Sequence, residues 1–167
     1  MRVSLLWVTV LALACGADGS RPEAEAEVAV EVRHVGLDAQ DLPVVLLAEQ
    51  GGERWLPIWI GSAEARSIQI GLEGLSGPRP NSHDFAQRVV RSLRGEVERV
   101  VVTELRKGTY YAVLTLVRAG ERVEIDARPS DAIALALRAG APIFVREALL
   151  AEAGGAAEAA SGAARSI

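Results

Sequence analysis

The chain has 167 residues, a formal charge of −4 and apolar side chains at 50% of its positions. That balance suits a globular domain with a real core and excludes a globally basic, phosphate-binding surface; any basic patch must be local. One cysteine and two histidines exclude an intrachain disulfide, a multi-thiolate zinc site and a His-rich metal centre.

Met1 and Arg2 give a positive start, Val3 to Leu13 is almost continuously apolar, and small residues precede Cys15. This is the layout of an export signal cut after Ala14, too short to span a bilayer. The site also has the look of a lipobox, with Cys15 as a lipidated first residue, although Ala12 stands where a large aliphatic residue is usual. Residues 15–27, rich in Gly, Ser, Pro, Ala and Glu, read as a solvated tether. The domain expected behind it is 28–150.

Alternation at Val28, Val30 and Val32 predicts a strand. Pro43 to Glu49 and Arg54 to Ile60 flank Gly51-Gly52 and predict a hairpin. A helix is expected from Ser62, as its cap, to about Leu75, with Ala65, Ile68, Leu72 and Leu75 on one face. The Pro-containing stretch Gly77 to Ser82 breaks it. A second helix, His83 to Leu93, is expected to turn Phe85, Val89, Val90 and Leu93 to the core and to carry Arg88, Arg91 and Arg94 as a basic ridge. Val97 to Leu105, Tyr110 to Val117 and Arg122 to Ala127 then form a meander with turns at Lys107-Gly108 and Ala119-Gly120. Ser130 is expected to cap a nearly all-apolar helix, Asp131 to Ala139, ended by Gly140 and followed by a short strand, Pro142 to Arg146. Residues 151–167 read as a disordered Ala/Gly-rich tail. The sum is a mixed α/β single domain, a largely antiparallel sheet with about three packed helices.

Dinucleotide and Walker glycine fingerprints, a Gly-x-Ser-x-Gly elbow and a His-Glu-x-x-His pair are all absent from the sequence. Two polar loops remain. Pro78 to Asp84 holds Arg79, Asn81, His83 and Asp84, where a histidine beside a carboxylate suits a general base or a metal ligand. It equally suits an ordinary helix start, with Asp84 against the dipole. Asp126 to Asp131 holds two carboxylates around Arg128, fit for a divalent cation that polarises a phosphate, or for an ion pair closing a turn. Glu64, near the first helix start, can reach the same cleft.

Three stretches together resemble the bifunctional nuclease family: Leu56-Pro57-Ile58-Trp59-Ile60-Gly61 with Glu64-Ala65; Gly77-Pro78-Arg79-Pro80 with His83-Asp84; and Ile125 to Ala136. Gly108 to Ala112 and Pro142 to Val145 match as well, so the resemblance covers 28–150. It implies a mixed α/β domain, often oligomeric, with nuclease activity on DNA and RNA, and it marks Glu64, Arg79, His83, Asp84, Asp126, Arg128 and Asp131 as motif positions. Asn81-Ser82 departs from the usual Leu-Thr type pair, and the export signal departs from members that look cytosolic.

The expected function is therefore a nuclease hydrolysing phosphodiester bonds in DNA or RNA. Asp126 and Asp131 hold Mg²⁺ or Mn²⁺, and His83, Asp84 and Glu64 form the catalytic set. Arg79 and Arg128 hold the phosphate. Nucleic acid, a membrane reached through lipidated Cys15 at the cell envelope, and further copies of the chain are the expected partners. The rival is a non-catalytic binding or assembly module tethered at the envelope, its motif residues serving as caps and ion pairs.

Overall fold

The computed structural model describes residues 26–51, 54–156 and 165–166. The stretch expected to be an export signal, Cys15 and most of the expected tether lie outside the described residues. Among those described, no helix is long and apolar enough to cross a membrane.

The elements run β1 (Glu27–Leu37), β2 (Pro43–Glu49), β3 (Arg54–Trp59), α1 (Ser62–Leu72), α2 (Ser82–Ser92), β4 (Gly95–Arg106), β5 (Thr109–Arg118), β6 (Glu121–Ala127), α3 (Pro129–Ala139), β7 (Ile143–Arg146), α4 (Glu147–Ala153), β8 (Gly155–Ala156) and β9 (Arg165–Ser166). The fold is mixed α/β, as expected, with the short α4 as a fourth helix. The meander turns as predicted. Lys107 and Gly108 have φ of 50° and 76°, and Ala119 and Gly120 have 52° and 84°. Two successive positive φ values make type I′ turns, whose twist matches that of the flanking strands.

The strand order is β6-β5-β4-β7-β1-β2-β3-β8, with β9 beside β1. The four-residue β7 lies between two antiparallel blocks, parallel to β4 and antiparallel to β1. Val30, Val35, Val45, Leu47, Leu56, Ile58, Val100, Val102, Ala112 and Leu114 form one apolar face. On it sit α1 and α3, through Ala65, Ile68, Ala132, Ile133, Ala134 and Ala136. Gly71 lets the two helices approach, since a Cβ there would lie 3.0 Å from Arg138 Nη1 and 3.3 Å from Leu137 Cβ. The opposite face carries Arg99, Val101, Val113, Thr115, Glu124 and Phe144 around an open groove.

Four local expectations are corrected. Gly61, not Ser62, is the N-cap of α1, and Arg128, not Ser130, that of α3; neither cap makes a side-chain bond. Ser130 is buried inside α3 because Pro129, preorganised for a first helical position, starts the helix earlier. Helix α2 buries none of its residues. Phe85, Val89 and Leu93 stand exposed, because its contact with α3 runs along the other, polar side. The tail expected from Ala151 begins inside α4, whose Leu149 and Leu150 join the core, and two-residue strands pair with β3 and β1 beyond it.

Candidate active site

Helices α1, α2 and α3 bring their polar sides together at one end of the core, and each contributes to one hydrogen-bonded network. Asn81 caps α2 by accepting from the Asp84 backbone N–H, and Asp84 Oδ2 accepts from the Asn81 N–H, both at 2.9 Å: a reciprocal capping box. The amide orientation of Asn81 is thereby fixed, and its Nδ2 donates to Ser67 Oγ at 3.1 Å. Arg138, buried near the end of α3, donates to Ser67 Oγ at 3.0 Å, to Asp84 Oδ1 at 2.6 Å and to the Ala134 carbonyl at 2.9 Å. The Arg138 guanidinium, through its hydrogen bond and its charge, lowers the pKa of the Asp84 carboxyl.

Ser67 Oγ thus receives two obligate donors, and a hydroxyl accepts two hydrogen bonds and donates one. Its third partner is His83 Nδ1, at 2.9 Å, so the hydroxyl proton points there. His83 Nδ1 is then an acceptor and Nε2 carries the proton, donated to Asp131 Oδ1 at 2.9 Å. The basic lone pair of His83 is capped by Ser67. The imidazole orients Asp131; it does not stand open to a water as the general base expected from the sequence.

Asp131, in the first turn of α3, also accepts from Arg128 Nε at 2.7 Å and from Arg128 Nη2 at 3.1 Å, and that Nη2 reaches Glu64 Oε1 at 2.9 Å. Burial pushes the Asp131 carboxyl up, but the hydrogen bonds of Arg128 and His83 and the charge of Arg128 outweigh it, and the net direction is down. Arg128, paired with both acids, is held more firmly protonated than a free arginine. Glu64 folds back over Gly61, where any Cβ would collide with Glu64 Oε2. A groove of about 360 Å³ opens here, lined among others by Glu64, Arg66, Ser67, His83, Arg128 and Asp131.

Glu64, His83, Arg128 and Asp131 are therefore brought together. Three predicted site residues are not. Asp84 has both oxygens committed to the α2 cap and to Arg138. Arg79 is exposed on the segment between α1 and α2, outside the groove lining. Asp126 pairs in register with Val113 and so points to the sheet face opposite α3, because strand side chains alternate while Ala112 and Leu114 face the helix.

The sequence that builds this sheet and its helices is similar to known proteins. The model of the bifunctional nuclease domain matches residues 44–158. The chain belongs to the bifunctional nuclease domain family. It is 44% identical over 127 residues to an uncharacterized protein of Mycobacterium tuberculosis, an alignment covering 74% of this chain and 76% of that one. A rice protein named bifunctional nuclease 1 is 30% identical over 105 residues, 61% of this chain and 32% of its own length. An Arabidopsis thaliana protein of the same name is 32% identical over 109 residues, 64% and 34%. The chain thus spans about a third of the plant proteins.

Against the divalent ion expected from the sequence, the donor set of this family member is a poor fit. Among the described residues no three His, Cys, Asp or Glu side chains are arranged to hold a metal ion. Asp126 and Asp131 lie on opposite faces of the sheet, and Arg128 already bridges Glu64 and Asp131. Sequence reading missed Ser67, Arg138 and Arg66. The first two were signalled by helical spacing: Ser67 lies one turn from Glu64, and Arg138 two turns from Asp131.

Proposed function

We propose that the chain is a nuclease that hydrolyses phosphodiester bonds at the Glu64–Arg128–Asp131 array, in DNA, RNA or both. The observation that carries this reading is a guanidinium held over two carboxylates at the mouth of an open groove, in a member of the bifunctional nuclease domain family.

The Arg128 side chain is 66% exposed. It can exchange its carboxylate partners for the non-bridging oxygens of a phosphate with little change in burial, and a planar guanidinium matches phosphate in a two-pronged fashion. Arg66 adds a second cation on the groove wall. Once Arg128 turns to the phosphate, Glu64 and Asp131 are freed as acceptors. One takes the proton of the water whose oxygen bonds to phosphorus, while the P–O bond to the leaving group breaks and that oxygen takes a proton from solvent. His83, through Nε2–H, keeps Asp131 aimed into the groove during this exchange. Asp84, Asn81, Ser67 and Arg138 hold His83.

The test uses the full chain on single- and double-stranded DNA and RNA, with Arg128→Ala and Asp131→Asn as variants. Each is expected to lower kcat/KM on the order of 10²-fold, the scale seen when one charge-stabilising group is removed from a site. Parent turnover no higher than that of both variants would leave the non-catalytic module as the better reading. A chelator arm asks about a cation directly. Activity that survives it fits Arg128 as the cation of the site; activity lost in it requires carboxylates released from Arg128.

A further inference from the structure

Arg128 lines a second groove as well. This one, of about 420 Å³, runs along Leu42, Trp59, Gly61, Tyr110 and Pro129 to Arg128, so the two grooves meet at one residue. It is the less polar of the two, and its rim presents Trp59 and Leu42, each 53% exposed. Single exposed apolar residues are ordinary. Trp59 differs in how it is held. Its indole N–H donates to Asp38 Oδ2 at 2.8 Å, and Asp38 Oδ1 accepts the backbone N–H groups of Gln40 at 2.8 Å and Leu42 at 2.9 Å. The polar edge of the ring is satisfied inside the protein and its orientation is fixed, so what it offers outward is a flat aromatic surface. A partner that stacks on a fixed ring forfeits little side-chain entropy.

We propose that this groove is a base-stacking subsite: one unpaired nucleobase of a DNA or RNA single strand lies on Trp59 beside Leu42, while the adjoining phosphate reaches Arg128. The inference rests on the nuclease reading of the Glu64–Arg128–Asp131 array and gives it a substrate class. Stacking on an aromatic side chain is sequence-tolerant, because every base has a π-face, and it needs a base free of its neighbours. A duplex keeps those faces covered. The charge agrees: Arg128 belongs to both grooves, and the Asp38 carboxylate at the Trp59 edge has its oxygens occupied by three N–H donors of the protein. The site therefore favours single strands over duplexes.

The experiment measures binding of a fluorescent oligothymidylate, of the same strand with abasic positions, and of a duplex, on the full chain carrying Asp131→Asn so that the probe is not consumed. Cleavage by the Asp131 parent is followed in parallel. Trp59→Ala is expected to weaken binding of the intact strand roughly tenfold, the scale of one lost base–aromatic contact. Trp59→Phe, which keeps a ring without the anchoring N–H and reports on folding through its melting temperature, is expected to stay within about threefold of the parent. The abasic strand and the duplex should bind all three proteins alike. Unchanged binding of the intact strand by a folded Trp59→Ala protein overturns the proposal. So does a shift of that variant to a smaller oligomer with binding unchanged, which would make the groove a contact between copies. If the parent cleaves nothing and the tenfold loss still appears, the nuclease reading falls and the subsite stands. If the parent cleaves and Trp59→Ala leaves KM unaltered, the subsite falls and the nuclease reading stands.

Discussion

Ser67 is the residue on which the arrangement of the site turns. Two donors that have no alternative role as acceptors, Asn81 Nδ2 and Arg138 Nη2, converge on its oxygen, and the remaining proton must go to His83. Nitrogen chemical shifts of His83 in the folded protein should therefore report the Nε2–H tautomer; an Nδ1–H tautomer would refute the network as drawn. Ser67→Ala removes the shared acceptor and strands two buried donors, an expected loss of about 1–3 kcal/mol in denaturant unfolding. A change below about 0.5 kcal/mol would show the donors finding other partners. The acids make a second prediction at this scale. Asp84 is held low by Arg138. For Asp131, burial acts upward but the hydrogen bonds of Arg128 and His83 prevail, so it too is low. A carboxyl whose folded pKa lies below its unfolded value contributes stability that is complete above the ordinary carboxylate pKa, about 4, and is lost as pH falls through the folded value. The melting temperature should therefore fall from pH 5 toward pH 3, and fall less steeply in Asp84→Asn, which no longer takes up that proton. Equal slopes in parent and variant would remove Asp84 from the acid transition.

At the scale of elements, helix and strand were legible because short-range patterns dictate them. Strand β2 runs Pro43–Glu49 as the apolar run predicts, both type I′ turns fall on their X-Gly pairs, and Gly140, at φ 69°, ends α3 where expected. What periodicity could not give was which side of a helix meets the core. Helix α2 has the most segregated apolar stripe of the three site helices, yet Phe85 stands 64% exposed while His83 and Asp84 turn inward. A buried cation on α3, Arg138, needs the Asp84 carboxylate, and that long-range requirement outweighs the local stripe; no pattern within eleven residues of α2 reveals it. This gives a contrast that a melting experiment reads. Phe85→Ser is expected to change stability by no more than about 0.5 kcal/mol, as for other exposed positions. Ile133→Ala, on the core side of α3 and fully buried, is expected to cost roughly 2–5 kcal/mol. Comparable losses would mean that the α2 stripe is covered in solution.

For the molecule as a whole, the site was half legible and the sheet order was not. Glu64, His83, Arg128 and Asp131 converge as motif spacing suggested. Asp126 does not, because one residue along a strand reverses the face and the loop to Asp131 carries the chain round the sheet edge. The strand order escaped prediction for a related reason: β7 pairs with β1 and β4, whose residues lie far back in sequence, and neither partner is a hairpin neighbour. That wedge has a thermodynamic consequence. The β1–β2–β3 and β4–β5–β6 blocks join in the sheet through β7, and helices α1 and α3 join over them around the same core. A sheet assembled this way should open as one cooperative unit, since neither block keeps its inner edge paired without the wedge. Val145 is fully buried and pairs with Val28 on one side and Val102 on the other. Val145→Ala is expected to lower global stability by roughly 1–3 kcal/mol. It should also reduce amide-exchange protection in the β1 and β4 cores by the same amount. Loss confined to β1, with β4 protected as in the parent, would show that the meander and α3 fold independently and that the candidate site, built mainly on α1, α2 and α3, is assembled from two separable halves.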